Sequence, residues 1–289
     1  YGSYSRGHKA GGFNLDRVFF DAQGSIVSPS SLPGPQVVRA PDTSFASELV
    51  DAYELGLKFA TDDNRLQVNT AVFYQDFENF QLNTFTGISF TVASIPEVIS
   101  QGVEVETFWS PFQNFSTNLG VAYTDARYGD DLGPAFVARN PSLFAIPGER
   151  LTHSPEWTVT GGLDYAFPFV DTLTARVHLD GRWQSEMDTG SNLDERKIQE
   201  AYAVFGAKIG FYSEDELFGL EFFARNLLDE SYINTAVDSP LQGSAMCSAA
   251  ALTPSGGAFS CPPGASQSST IDAFVGEPRM IGATLRIKN

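Results

Sequence analysis

Between Thr174 and Gln184 every second residue is polar or ionic: Thr174, Arg176, His178, Asp180, Arg182 and Gln184. A histidine two residues from a carboxylate is material for acid–base work, since imidazole changes charge near neutral pH. The other histidines, His8 and His153, stand in no Ser or Asp motif that would make a nucleophile and its base. The two cysteines, Cys247 and Cys261, share one stretch, "MCSAAALTPSGGAFSCPPGASQSS". A disulfide is expected there, stapling a loop in an oxidising compartment; the alternative is two free thiols. In the chain-entropy account such a staple is worth roughly 3 kcal/mol. No Cys, His and carboxylate cluster points to a metal at that place, and no cofactor is expected.

The element that carries His178 explains the spacing. The residues between the polar ones are Leu173, Ala175, Val177, Leu179, Gly181 and Trp183. An apolar set and an ionic set that alternate strictly are the two faces of a β-strand. The same rhythm runs through "ELVDAYELGLKFA", "RLQVNTAVFYQDF", "QGVEVETFW", "FSTNLGVAYTD", "WTVTGGLDYAF", "AYAVFGAKIGF", "LFGLEFFARNL" and "RMIGATLRIKN". With "YGSYSRG" at the start this makes about ten strands. The connections between them run long, tight, medium, tight, long, tight, medium, tight, long. "TDDN", "SPFQN", "PFVD" and "SEDE" are the tight ones.

All the tight turns therefore fall at one end of the strands. A soluble sandwich has no reason for that, whereas an outer-membrane barrel has short turns on one side and long loops on the other. Aromatic placement agrees. Tyr53, Tyr123, Trp157 and Trp183 adjoin the long loops, while Phe59, Trp109, Phe167 and Phe211 adjoin the turns. Two interfacial girdles give that pattern, and a sandwich core does not. The expected fold is all-β, a transmembrane antiparallel β-barrel wall. No run of about 18 apolar residues is present for a membrane-crossing helix. The net charge of −17 argues against nucleic acid as a partner. The chain begins abruptly inside a strand with no visible leader, and is expected to be a piece of a longer protein.

The chain resembles the C-terminal part of a TonB-dependent outer-membrane receptor. "SYSRGHKAGGFN", "YELGLKF" with "VFYQDFENFQ", "QGVEVE", and "RNLLDESY" with "GEPRMIGATL" carry the resemblance, in order along the whole chain. It implies that residues 1–289 supply the last ten strands of a barrel of about twenty-two. The N-terminal plug domain and the TonB-contacting segment would lie outside this chain. It further implies active uptake of a scarce nutrient, a ferric siderophore or similar chelate, across the outer membrane of a Gram-negative bacterium. Energy would come through TonB, and membrane lipid and lipopolysaccharide would be neighbours. Such barrels usually end on an aromatic residue, whereas this chain ends at Asn289, so a trimmed end is expected.

Transport needs no catalytic group. Charges facing lipid are costly, so the ionic face is expected to line the lumen and meet the plug or the substrate path. Its residues are Glu54, Lys58, Glu104, Glu106, Arg176, His178, Asp180, Arg182, Lys208, Glu221 and Arg225. Pairing within the wall is the alternative role for each. Ligand contacts are expected from the outer loops, at Phe85, Phe90, Tyr128, Arg139 and Arg150. Phe13, Phe136, Phe144 and Arg127 are further members, and loop packing is their alternative role. In "RNLLDESY", Asn226 and Asp229 are expected to shape a strand-end turn, with cation binding by Asp229 and Glu230 as the alternative. Two other functions stand beside active uptake: a passive porin, and a complete ten-stranded barrel enzyme.

Overall fold

The computed structural model describes residues 1–14, 43–85, 90–133, 136, 143, 145–240 and 270–288, and the backbone of 19–20 and 26–27. Ten strands pair in sequence order in one antiparallel sheet. They are β1 (Gly2–Lys9), β2 (Glu48–Ala60), β3 (Leu66–Phe85), β4 (Phe90–Trp109) and β5 (Phe115–Tyr128), followed by β6 (Trp157–Val170), β7 (Leu173–Gln184), β8 (Tyr202–Ser213), β9 (Phe218–Arg225) and β10 (Met280–Ile287). β1 and β10 are the two edges and do not pair with each other. This overturns the alternative of a complete ten-stranded barrel, because the sheet is only part of a closed wall.

Register turns the sequence alternation into two continuous surfaces. On one face Leu55, Val72, Val103, Tyr123 and Trp157 stand side by side across five strands. Tyr165, Val177, Ile209, Phe222 and Ala283 form a second such row. Leu55 and Leu57 are 63% and 69% exposed, as side chains meant for lipid rather than a core would be. Aromatic contacts mark the two borders of this face. Tyr4–Tyr53 (5.1 Å) and Tyr123–Trp157 (4.9 Å) lie toward the long connections. Phe112–Phe115 (4.8 Å) and Phe169–Phe211 (5.0 Å) lie toward the turns. The turns themselves use residues that tolerate positive φ, such as Asn64 (54°) and Asn114 (64°).

One connection differs from the sequence expectation. Residues 78–100 were expected to hold a medium loop, but β3 and β4 are each 20 residues long and run on as a hairpin to the Phe85–Phe90 pair. The ladder is broken once, between Glu78↔Glu97 and Phe80↔Ile95. There Asn79 takes φ 55°, and Pro96 has no N–H to give. The break shifts the alternation by one residue. Phe77 and Phe80 therefore touch edge to face at 5.6 Å, and Val98 and Ile95 are both fully buried.

That shift lets the extended hairpin build a water-excluding cluster at the outer end. Leu82, Ala93, Ile95 and Val98 pack with Tyr128, Leu132, Phe136, Leu143 and Ile146, and Leu193 lies against them. Val98 and Tyr128 are paired in the register and belong to the polar face lower down, so this cap sits on the inner side of the sheet. A small ribbon, Ile233–Asp238 with Ile271–Val275, joins the same outer end. Thr84 and Ser191 tie the hairpin to the β7–β8 connection, hydroxyl to hydroxyl at 2.5 Å.

Candidate functional site

The inner face holds every expected wall charge. Lys58, Asn69, Glu106, Gly120, Thr160 and Arg182 make one row across the strands. Asp164, His178, Lys208, Phe223 and Gly282 make another, and Arg176, Gly210, Glu221 and Thr284 a third. Many of these groups answer one another. His178 sets Nδ1 2.8 Å from Asp164 Oδ1 and Nε2 3.4 Å from Asp180 Oδ1. Each ring nitrogen thus faces a carboxylate, and neither faces a hydroxyl that it could activate. Arg176 reaches Glu216 at 2.5 Å and lies over the Tyr212 ring at 4.6 Å. Glu221 is nearly sealed from water; it accepts from the Tyr212 hydroxyl and pairs with Arg286 at 3.3 Å. Glu54 accepts from the Tyr1 hydroxyl at 2.6 Å, and Arg182 donates to the Tyr202 hydroxyl at 3.1 Å. Glu104 stands in the same face, opposite Ala71 and Ala122.

Glycines let these side chains lie close to the wall. A Cβ on Gly206 would come 2.5 Å from Asp180 Oδ1, and one on Gly282 would come 2.5 Å from the Phe223 ring. At Gly102 a Cβ would meet the Tyr123 carbonyl oxygen at 2.1 Å and the Phe73 ring at 2.8 Å. Between β7, β8, β9 and β10 this leaves a groove of about 510 Å³, lined by His178, Asp180, Lys208, Glu221, Phe223, Arg225 and Thr284 among others.

The outer residues divide. Phe85 and Phe90 pair at 4.7 Å at the hairpin end, as strand residues rather than loop residues. Tyr128 is 2% exposed and shares a hydrogen bond with Thr152 at 3.3 Å, so it packs the cap and does not present itself to a ligand. Phe136 belongs to the same cluster. Arg150 pairs with Glu156 at 3.1 Å and bridges Arg127 through the backbone. Phe13 is freely exposed. Arg139, Phe144, Cys247 and Cys261 lie outside the described residues. In "RNLLDESY", Asn226 accepts from the Glu230 N–H and donates to the carbonyls of Glu230 and Glu277, while Asp229 accepts from the Arg279 N–H. These are turn-building contacts.

The cap also contains a polar knot with no signal in the sequence, because its stretch, "MDTGSNLDERK", has neither period nor motif. Lys197 and Asp238 meet there, out of water. Nearby, burial pushes the Asp188 carboxyl up to about 6, against the opposing pull of the Gly190 N–H and Lys197. Burial also lowers His153, whose N–H donates to the Asp188 carbonyl at 2.8 Å.

A family model described as TonB dependent receptor-like, beta-barrel, matches residues 1–227. The chain belongs to this family. TonB-dependent receptors are Gram-negative outer-membrane proteins that act as receptors and transporters rather than enzymes, and the two faces of the sheet are thereby the lipid side and the lumen side. Three solved structures illustrate the likeness. The ferric yersiniabactin uptake receptor FyuA from Yersinia pestis matches with TM-score 0.65 and 16% identity, over 99% of this chain and 34% of that one. The ferric-catecholate import receptor Fiu from E. coli K12 gives 0.55 and 17%, over 98% and 31%. The ferric preacinetobactin receptor BauA from Acinetobacter baumannii gives 0.56 and 14%, over 98% and 33%. The chain spans about a third of the length of each, and at these identities the likeness is one of fold.

Proposed function

We propose that residues 1–289 are the C-terminal ten strands of a receptor barrel that imports a scarce nutrient, a ferric siderophore or similar chelate. In this reading the barrel closes around its own N-terminal plug and is driven through TonB. The observation that carries it is the wall itself: one face apolar and girdled by aromatics, the other ionic, in a chain of this family whose structural likenesses include ferric-chelate receptors. The inner-wall charges would meet the plug or the substrate path, and Phe85, Phe90, Arg139 and Arg150 would stand near the mouth. A Cys247–Cys261 staple would close part of the long β9–β10 connection. Lipid and lipopolysaccharide would surround the apolar face.

Active uptake and a passive pore differ in their energy source. A strain lacking the gene should lose accumulation of one labelled ferric chelate under iron limitation. The same loss should follow removal of TonB, or collapse of the proton gradient, in the parent strain. Accumulation that persists without TonB and without the gradient would favour the passive pore.

A further inference from the structure

The lumen face is not evenly charged. On β2–β4 its ionic residues are Glu48, Glu54, Glu104 and Glu106 with one cation, Lys58. On β7–β10 cations prevail, and the groove of about 510 Å³ opens among them. Two carboxylates line that groove, and both are already engaged, Asp180 with His178 and Glu221 with Tyr212 and Arg286. Lys208 and Arg225 also line it. Among the described residues neither has a carboxylate within 4 Å; Arg225 lies instead over the Phe223 ring at 5.7 Å.

We propose that this groove is an oxyanion site on the inner wall, where Lys208 and Arg225 together receive a carboxylate- or phosphate-bearing small solute. Lys208 is half-buried beside Phe223 and Arg225 is exposed one step further along β9, so the two can approach one anionic group from adjacent strands. A guanidinium can offer two parallel donors and an ammonium a mobile point charge, a pair well suited to carboxylate or phosphate. The Phe223 ring supplies an apolar wall and Thr284 a hydroxyl. Gly206, which carries no side chain, keeps space open on this face. Neither cation has to break a close ion pair when a solute arrives: Arg225 rests over the Phe223 ring, and Lys208 acts on Glu221 only from beyond 4 Å. The acidic stretch of the same face on β2–β4 would repel that solute and favour its place on β7–β10. The inference rests on the uptake reading in one respect, that solutes traverse this lumen.

The test uses the full-length receptor in detergent, with radiolabelled citrate as the anionic probe and glycerol as the neutral one, in equilibrium dialysis at low and raised salt. Citrate should bind and glycerol should not. Lys208→Gln/Arg225→Gln should weaken citrate binding at least about tenfold. Arg65→Gln, which removes one cation at the turn between β2 and β3, should leave it unchanged. Equal binding by the double variant overturns the proposal, as does absence of citrate binding to the wild type. If that absence comes with a lower melting temperature in the double variant, carboxylates elsewhere in the protein answer the two cations. Chelate uptake lost in the gene-deletion strain supports the uptake reading whatever the dialysis gives, so the two ideas can fail separately.

Discussion

The Lys197 ammonium lies 3.1 Å from Asp238 Oδ1 and 3.0 Å from Asn192 Oδ1, and the Lys197 and Asp238 side chains are only 2% and 4% exposed. The pair joins the β7–β8 connection to the ribbon that begins at Ile233. Thr189 completes the junction, donating to the Lys197 carbonyl and accepting from the Ala236 N–H. Asp238 Oδ2 has no partner among the described residues. Removing one member of such a pair strands a charge out of water, while replacing both need not. Lys197→Met should therefore cost the cap about 3–5 kcal/mol of local stability. Lys197→Met/Asp238→Leu should restore much of it. Amide hydrogen exchange across 187–199 and 233–238 measures both; unchanged exchange in the single variant would sink the idea.

Asp188 sets a pH dependence of the same region. Its carboxyl titrates at about 6 in the folded cap, whereas an unfolded aspartate titrates near 3.9. Between those values the folded state holds the extra proton, so Asp188 makes the cap less stable as pH rises through that window. His153 works the other way: its lowered affinity for a proton costs stability as pH falls below its ordinary range. Asp188→Asn isolates the first effect. The variant should exchange amides more slowly than wild type at pH 7.5, by a gain on the order of 2 kcal/mol that disappears toward pH 4. A gain of equal size at both pH values would show that the charge is not the cause.

Val177 and His178 are adjacent but face opposite media, so one substitution at each separates the faces. Val177→Arg puts a charge between Tyr165 and Ile209 on the lipid side and should cost about 2–4 kcal/mol if near the midplane. His178→Arg stays among Asp164 and Asp180 and should be mild. Folding yield into lipid vesicles, read by heat-modifiable gel mobility, compares the two. Equal yields would refute the face assignment.

Gly102 is required by its surroundings rather than by its conformation. An added methyl would meet backbone, the Tyr123 carbonyl, which cannot swing away. Gly102→Ala should destabilise the barrel by about 1–3 kcal/mol. Trimming the nearby ring with Phe73→Leu should not rescue it, because the carbonyl remains. The denaturant midpoint of the full-length protein distinguishes these outcomes, and rescue by Phe73→Leu would show that the ring was the obstacle.

The strands were legible because lipid and water enforce a strict alternation on opposite faces; the rows through Val177 and through His178 follow from period two alone. The extended hairpin was not legible for a specific reason. Pro96 argues against a strand, and the shift at Asn79 moves Leu82 and Ile95 out of the phase set by Val72 and Val103. An unbroken period would place Tyr128 and Phe85 at an open mouth, and the shift instead draws Tyr128 into a core. That the charges share one face follows from the same alternation, since polarity on one face is a local property. The Lys197–Asp238 pair was not, because it joins residues 41 positions apart in segments without any repeat.

Phe73 over Gly102 and Phe223 over Gly282 have a further consequence. A ring folded down onto bare backbone takes up wall thickness rather than bore. At those rows the depth of the inner surface is set by main chain, so an aromatic side chain need not stand out from the wall. A side chain added at Gly282 would lift the Phe223 ring off the wall without adding or removing any charge, whereas at Gly102 the Tyr123 carbonyl would block it first.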